Sequence, residues 1–242
     1  MPLEFVMSDT AAADHGIKAC VYARSGIGKT VLVATAPRPL IIAAEPGMLS
    51  LQPQNLERIF GVGNPNITYR IPGIKVTTVQ NLIEVYQWLR QAAEAKNFDT
   101  IYMDSITEVA EVVLASAKAA SSDGRKAYGE LLEAMTYHLK QFRDIPGKHV
   151  VMVAKQESTQ DEVSKITKYG PTMPGAKLGQ AMPYLFDEVF RLGIGVTNDG
   201  KEYRFLQTRP DLQYEAKDRS GVLDAAEPPD LGLVFKKILA RN

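Results

Sequence analysis

A chain of 242 residues with 28 basic and 28 acidic side chains has no net charge with which to hold a polyanion by bulk attraction. Any nucleic-acid contact must therefore come from local patches or from many subunits acting together. A single cysteine, Cys20, excludes an intrachain disulfide and suits a reducing compartment, while the absence of a leader-like start and of any stretch of ~18 apolar residues predicts a soluble, cytoplasmic protein with no membrane partner.

Residues 1–15 are polar and Ala-rich and read as a loose arm in which only Leu3, Phe5 and Val6 could dock; residues 16–242 read as one domain. Ile17-Lys18-Ala19-Cys20-Val21-Tyr22 is an apolar run of strand length. It feeds Ala23-Arg24-Ser25-Gly26-Ile27-Gly28-Lys29-Thr30, which follows the phosphate-binding pattern G-x-x-x-x-G-K-[ST] except that Ala23 stands where the first Gly is expected. In such loops backbone N–H groups cradle phosphates, the Lys reaches the outer phosphates, and the hydroxyl holds Mg²⁺. A helix over 30–36, stopped by Pro37, would present its positive end to them.

Residues 39–44 form a second apolar run, ending at Glu45. Residues 46–79 are rich in Pro, Gly and Asn, with β-prone pieces at 67–71 and 74–79. Helical periodicity follows over 81–95 through Leu82, Val85, Tyr86, Leu89 and Ala93. A strand over 98–103 closes with Asp104, and helices are expected over 106–120 and 128–143. Residues 149–154 form another buried strand, leading to Lys155 and Gln156. Residues 157–175 read as a long polar loop, 176–185 as a short helix, and 187–208 as a hairpin turning at Asn198-Asp199-Gly200. A closing helix is expected over 231–239. Alternating strands and helices predict an α/β fold, a mostly parallel central sheet with helices on both faces and an antiparallel C-terminal extension.

Glu45, Asp104 and Gln156 all fall at carboxyl ends of expected parallel strands, the edge where open α/β sheets bind ligands. Asp104 has the form of a second nucleotide motif, an acid that orients Mg²⁺ opposite Thr30; its other reading is a helix N-cap. The order of Glu45, Gly47 and Leu49, then Asp104-Ser105, Gly124-Arg125, Tyr128-Gly129-Glu130-Leu131, Val150 to Gln156 and Gly170 to Leu178, resembles the RecA-type core of P-loop ATPases. With Gln207-Thr208-Arg209-Pro210-Asp211 and Ala216-Lys217-Asp218-Arg219, the pattern is most similar to phage single-strand-annealing ATPases of the Sak-four group. Full recombinases differ in having sizeable N-terminal helical or basic C-terminal domains.

That resemblance implies ATP and Mg²⁺ as ligands and Glu45 as the group that polarises the attacking water, against a plain turn acid. It implies Gln156 as a γ-phosphate sensor, against a plain loop-entry residue. Two DNA loops would carry Arg125, Lys126 and Tyr128 in one and Lys165 and Lys168 in the other, against solvated surface loops; their charges sum to +1 over 120–128 and to zero over 156–177. Lys217 and Arg219 would reach a neighbour's γ phosphate, making a ring or filament the active form. Expected partners are single-stranded DNA, further copies of the chain and a single-strand-binding protein, in a phage-infected bacterial cell. The rival reading is a nucleotide-dependent assembly module without DNA function. Small-molecule kinase activity is a third, disfavoured by the lack of an Arg-dense lid.

Overall fold

A computed structural model describes residues 15–45, 47–161 and 164–240; the expected arm, apart from His15, lies outside the described residues. The central strands are β1 (Lys18–Ala23), β2 (Pro39–Ala43), β4 (Thr100–Asp104), the first half of β5 (His149–Gln160) and the first half of β7 (Glu188–Val196). Their near-continuous apolar runs are buried, as strands covered on both faces require. They pair in parallel in the order β7-β1-β5-β4-β2, and β3 (Gly73–Lys75) adds to β2. β8 (Glu202–Gln207) runs antiparallel on β7, β9 (Lys217–Asp218) pairs with β7 and β10 (Ala226–Glu227) with β8. This is the expected architecture, with the antiparallel extension at the C-terminal end.

Two apolar layers cover the sheet. On one face pack α2 (Val79–Gln91), α3 (Ile106–Ala120), α4 (Gly124–Arg143) and α5 (Ala176–Leu185), through residues such as Leu82, Val113, Leu139 and Met182. On the other lie the helix after the phosphate loop, α1 (Pro53–Phe60) and α6 (Leu231–Leu239), through Val33, Leu56 and Phe235.

Several expectations are corrected. The helix after the phosphate loop is a 3₁₀ segment, Thr30–Thr35; four of its six residues are β-branched, which disfavours a regular α-helix, and the Thr35 hydroxyl bonds back to the Leu32 carbonyl at 2.8 Å. Residues 46–79 contain α1, which starts on Pro53, a residue suited to a first helical turn. Residues 67–71 form no strand, and β3 stops at Lys75 because Thr78 caps α2 through the Asn81 N–H. α4 begins at Gly124, not at 128, because the Asp123 carboxylate caps it through the Arg125 and Lys126 N–H groups. Where a long loop was expected after 157, β5 continues to Gln160 and folds back as β6 (Thr167–Thr172) in an antiparallel hairpin. The turn is set by Lys165 at φ +58° and by the Asp161 N–H donating to the Ile166 carbonyl.

The amino-terminal end of the sheet carries buried ionisable groups. The Lys18 ammonium donates to the Ile145 and Lys148 carbonyls at 3.0 and 2.8 Å, and burial lowers its pKa to about 8. Nearby, His149 stacks on Phe235 and its Nδ1 accepts the Ile17 N–H at 3.1 Å. Burial, with the Lys18 charge, pulls the imidazole down to about 4. A His depressed in the folded state contributes stability present above its ordinary pKa and lost as pH falls through the folded value. Unfolding free energy should therefore decline between pH 6.5 and 4, by at most roughly 3 kcal/mol from this group. In denaturant titrations His149→Asn, which keeps an acceptor but does not titrate, should show a flatter decline; identical slopes would remove His149 as the cause.

Candidate nucleotide site

The parallel register decides what meets at the carboxyl edge. Ala23 ends β1 opposite Lys155, Asp104 ends β4 opposite Val153, and Ala43 ends β2 opposite Asp104. The segments that follow these positions converge on a recess of about 520 Å³. It is lined by the phosphate loop from Ala23 to Thr30 except Ile27, and by Glu45, Asp104 and Gln156. Thus the five central residues expected at one site, Lys29, Thr30, Glu45, Asp104 and Gln156, are together.

Ala23 in place of the first Gly is compatible with this geometry. It is a fully buried strand residue, and the left-handed positions of the loop fall at Gly26 and Gly28, with φ of +79° and +108°. Lys29 folds back so that its ammonium donates to the Ala23 and Arg24 carbonyls, both at 3.0 Å, while the buried Tyr102 hydroxyl donates to the Lys29 carbonyl at 2.5 Å. Burial lowers the Lys29 pKa, against the opposing pull of Asp104 and Glu45. Burial likewise raises the Asp104 carboxyl, while the bond from the Thr30 hydroxyl holds it down. The cap of α3 is Ser105, whose hydroxyl accepts the Glu108 N–H at 3.3 Å, so Asp104 is not the N-cap. The same Ser105 hydroxyl donates to Glu45 Oε1 at 3.0 Å and thereby fixes a carboxylate at the recess.

Gln156 sits where β5 leaves the parallel sheet and enters the hairpin, paired with Pro171. The hairpin root is tied to α3: the Thr107 hydroxyl donates to the Thr172 carbonyl at 2.9 Å and accepts the Lys155 N–H at 3.0 Å. Lys155 also pairs with Glu108. A continuous set of bonds therefore runs from the acid strand end, through the start of α3, to the hairpin.

Chain order hid several further lining residues. Ser50, Asn55 and Arg58 come from the segment around α1, and Arg204 comes from β8, some 180 residues beyond the loop. The signal for α1 was present in Pro53 followed by Leu56, Ile59 and Phe60; nothing local marks Arg204. A second recess of about 400 Å³ adjoins the first, lined by Val31, Leu32, Ile59, Phe60, Leu192, Ile194 and Tyr203 among others.

The expected DNA-contact residues fall on ordered elements. Arg125, Lys126 and Tyr128 occupy the first turns of α4, and Tyr128 is half exposed with the Lys118 ammonium 5.5 Å from its ring centre. Arg125, Tyr128, Gly129 and Leu132 share a groove with Lys177 of α5. Lys165 lies in the turn between β5 and β6, and Lys168, on β6, is 3.8 Å from Asp161. Lys217 and Arg219 lie at the opposite edge of the sheet from the phosphate loop: Lys217 pairs with Val189 and Asp218 with Glu188, which itself faces Ala19 near the start of β1. The Lys217 ammonium donates to the Pro183 and Phe186 carbonyls, and Arg219 pairs with Asp187 at 2.7 Å. Neither reaches the phosphate loop of its own chain.

A family described as AAA domain matches residues 15–220. No curated protein matches the chain. Among solved structures it is similar to a KaiC-like protein from the hyperthermophilic archaeon Pyrococcus horikoshii OT3, at 15% identity over 84% of this chain and 82% of that one, with a TM-score of 0.43. It is also similar to the flagellar accessory protein FlaH from Methanocaldococcus jannaschii, at 12% identity over 84% and 80% of the two chains, with a TM-score of 0.42. Among the described residues, no helix is long and apolar enough to cross a membrane.

Proposed function

From the premise that the chain belongs to the AAA domain family, we propose that it is a P-loop ATPase of RecA-like type that hydrolyses ATP and couples hydrolysis to single-stranded DNA, promoting annealing or recombination as a ring or filament. The observation that carries the ATPase part is the recess that gathers Lys29, Thr30, Glu45, Asp104 and Gln156. Lys29 exchanges its two carbonyl contacts for β and γ phosphate oxygens, and the N–H groups of Gly26, Gly28, Lys29 and Thr30 hold the β phosphate. The Thr30 hydroxyl and Asp104 carboxylate are hard oxygen donors that fit Mg²⁺, an ion that neutralises phosphate charge when bound. Glu45, oriented by Ser105, polarises the attacking water.

The DNA part rests on two placements. Arg125, Tyr128 and Lys177 line one groove, offering cations beside a ring on which a base can stack. Gln156 lies in the phosphate recess at the root of the hairpin that carries Lys165 and Lys168, so a change at the γ phosphate has a route to that hairpin. The phage-encoded annealing subtype and a single-strand-binding protein as partner belong to this proposal. A neutral chain predicts cooperative, ATP-dependent and salt-sensitive binding rather than tight binding by one subunit. Glu45→Gln should bind ATP and retain ATP-dependent DNA binding while losing at least about 100-fold in turnover. Parental turnover would remove Glu45 from the mechanism; ATP hydrolysis without DNA binding in any nucleotide state would leave the assembly-module reading standing.

Lys217 and Arg219, remote from their own loop, act on a neighbour's γ phosphate in this proposal, and such a cation supplied in trans is worth ~10³ or more in rate. Mixing Arg219→Ala or Lys217→Ala subunits with Lys29→Ala subunits should restore hydrolysis that each lacks alone. Parental rates from both cation variants on their own would exclude the trans role.

A further inference from the structure

Arg204 belongs to none of the motifs, yet the fold aims it at the phosphate loop. In the β7–β8 hairpin, Leu206 pairs with Leu192 and Arg204 with Ile194. Residues two apart on a strand share a face, so Arg204 projects from the face on which Leu206 and Leu192 join Val31 and Leu32 in the core. Its guanidinium comes to rest over the loop: Nη1, Cζ and Nε lie 3.4, 3.6 and 3.8 Å from where a Cβ on Gly28 would stand. Gly28, at φ +108°, presents bare backbone there.

Three other cations of the recess, which also holds Arg24, are engaged. Lys29 bonds two carbonyls, Lys155 pairs with Glu108, and the Arg58 guanidinium donates to Asn55 Oδ1 at 2.9 Å. Among the described residues no acceptor engages the Arg204 guanidinium. Arg204 also stands at a boundary. The phosphate recess and the second recess, whose lining also includes Glu202, share Gly28, Val31, Ile59 and Arg204, and only Arg204 among these shared residues is charged. Glu45 and Gln156 line the phosphate recess alone and so mark its far end.

We propose that Arg204 is a nucleotide-binding residue acting in its own subunit, gripping the phosphate nearest the nucleoside where the two recesses meet. The inference rests on the nucleotide reading above and adds a cation that reads the nucleoside end rather than the terminal phosphate. A guanidinium suits this position because its planar fork can hold two phosphate oxygens at once.

Calorimetric titration of the full-length protein with MgATP and with MgADP tests it. Arg204→Ala should weaken both nucleotides by the same factor, about 10- to 100-fold, as loss of a charge-assisted hydrogen bond implies. Arg204→Lys, which keeps the charge without the fork, should recover only part of that loss. Because the side chain is exposed and unpartnered, both variants should melt with the parent in the absence of nucleotide. Weaker ATP binding with unchanged ADP binding would move Arg204 to the terminal phosphate and overturn the proposal, as would parental affinity for both nucleotides. If the parental protein bound neither nucleotide, the reading of the site itself would fall, and the inference with it.

Discussion

The site depends on one register: β1 is held between β5 and β7 in parallel, with Ala23 opposite Lys155 and Tyr22 opposite Arg191. Parallel strands cannot be joined by tight turns, so each connection must cross a face of the sheet, and successive carboxyl ends then gather at one edge. The phosphate loop leaves the middle of that edge, and β4 and β2 deliver Asp104 and Glu45 beside it. The loop is stiffened from below, because Tyr102, fully buried in β4, bonds the Lys29 carbonyl. The opposite edge holds the costly groups. Glu188, buried beside Asp218, is pushed up to about 8, and Lys18 is drawn down to about 8, both consequences of placing ionisable side chains at the starts of fully packed strands.

The hairpin of β5 and β6 changes what the proposed coupling requires. A disordered loop would have to be ordered by nucleotide or DNA. Here β5 is a single strand that begins in the core at His149, passes the recess at Gln156 and continues out to Gln160. Thr107 joins the hairpin root to the helix that starts directly after the Asp104-Ser105 strand end. Tyr169 of the hairpin stacks on Tyr214 at 4.9 Å between ring centres, and the Arg191 guanidinium lies 3.5 Å from the centre of the Tyr214 ring. In the proposed coupling, a displacement at the acid end of the recess would meet a continuous strand with a second anchor, which suits a two-position device better than a melting loop.

What could be read from residue order was whatever lies in one continuous stretch. The phosphate loop, the buried strands and the acids at their ends each combine a local motif with a local apolar run, and their convergence follows from parallel topology. The hairpin is hidden in the sequence because Ser158, Thr159, Gln160 and Thr167 are polar like loop residues, although β-branched and alternating residues also suit an exposed ribbon. The start of α4 is hidden because Gly124 has the look of a break, whereas Asp123 before it supplies the cap. Arg204 was invisible for a different reason: only the pairing of β8 with β7, and of β7 with β1, carries it to the loop.

In the proposed function Lys29 is the phosphate grip of an ATP site built by this sheet edge. Equilibrium binding of MgATP, measured by calorimetry on the parental protein and on Lys29→Ala at matched concentration and salt, addresses that directly. Binding should be saturable at one site per chain in the parent and weakened by at least about 100-fold in Lys29→Ala. Equal affinity in the two proteins, or no binding in the parent, would contradict it.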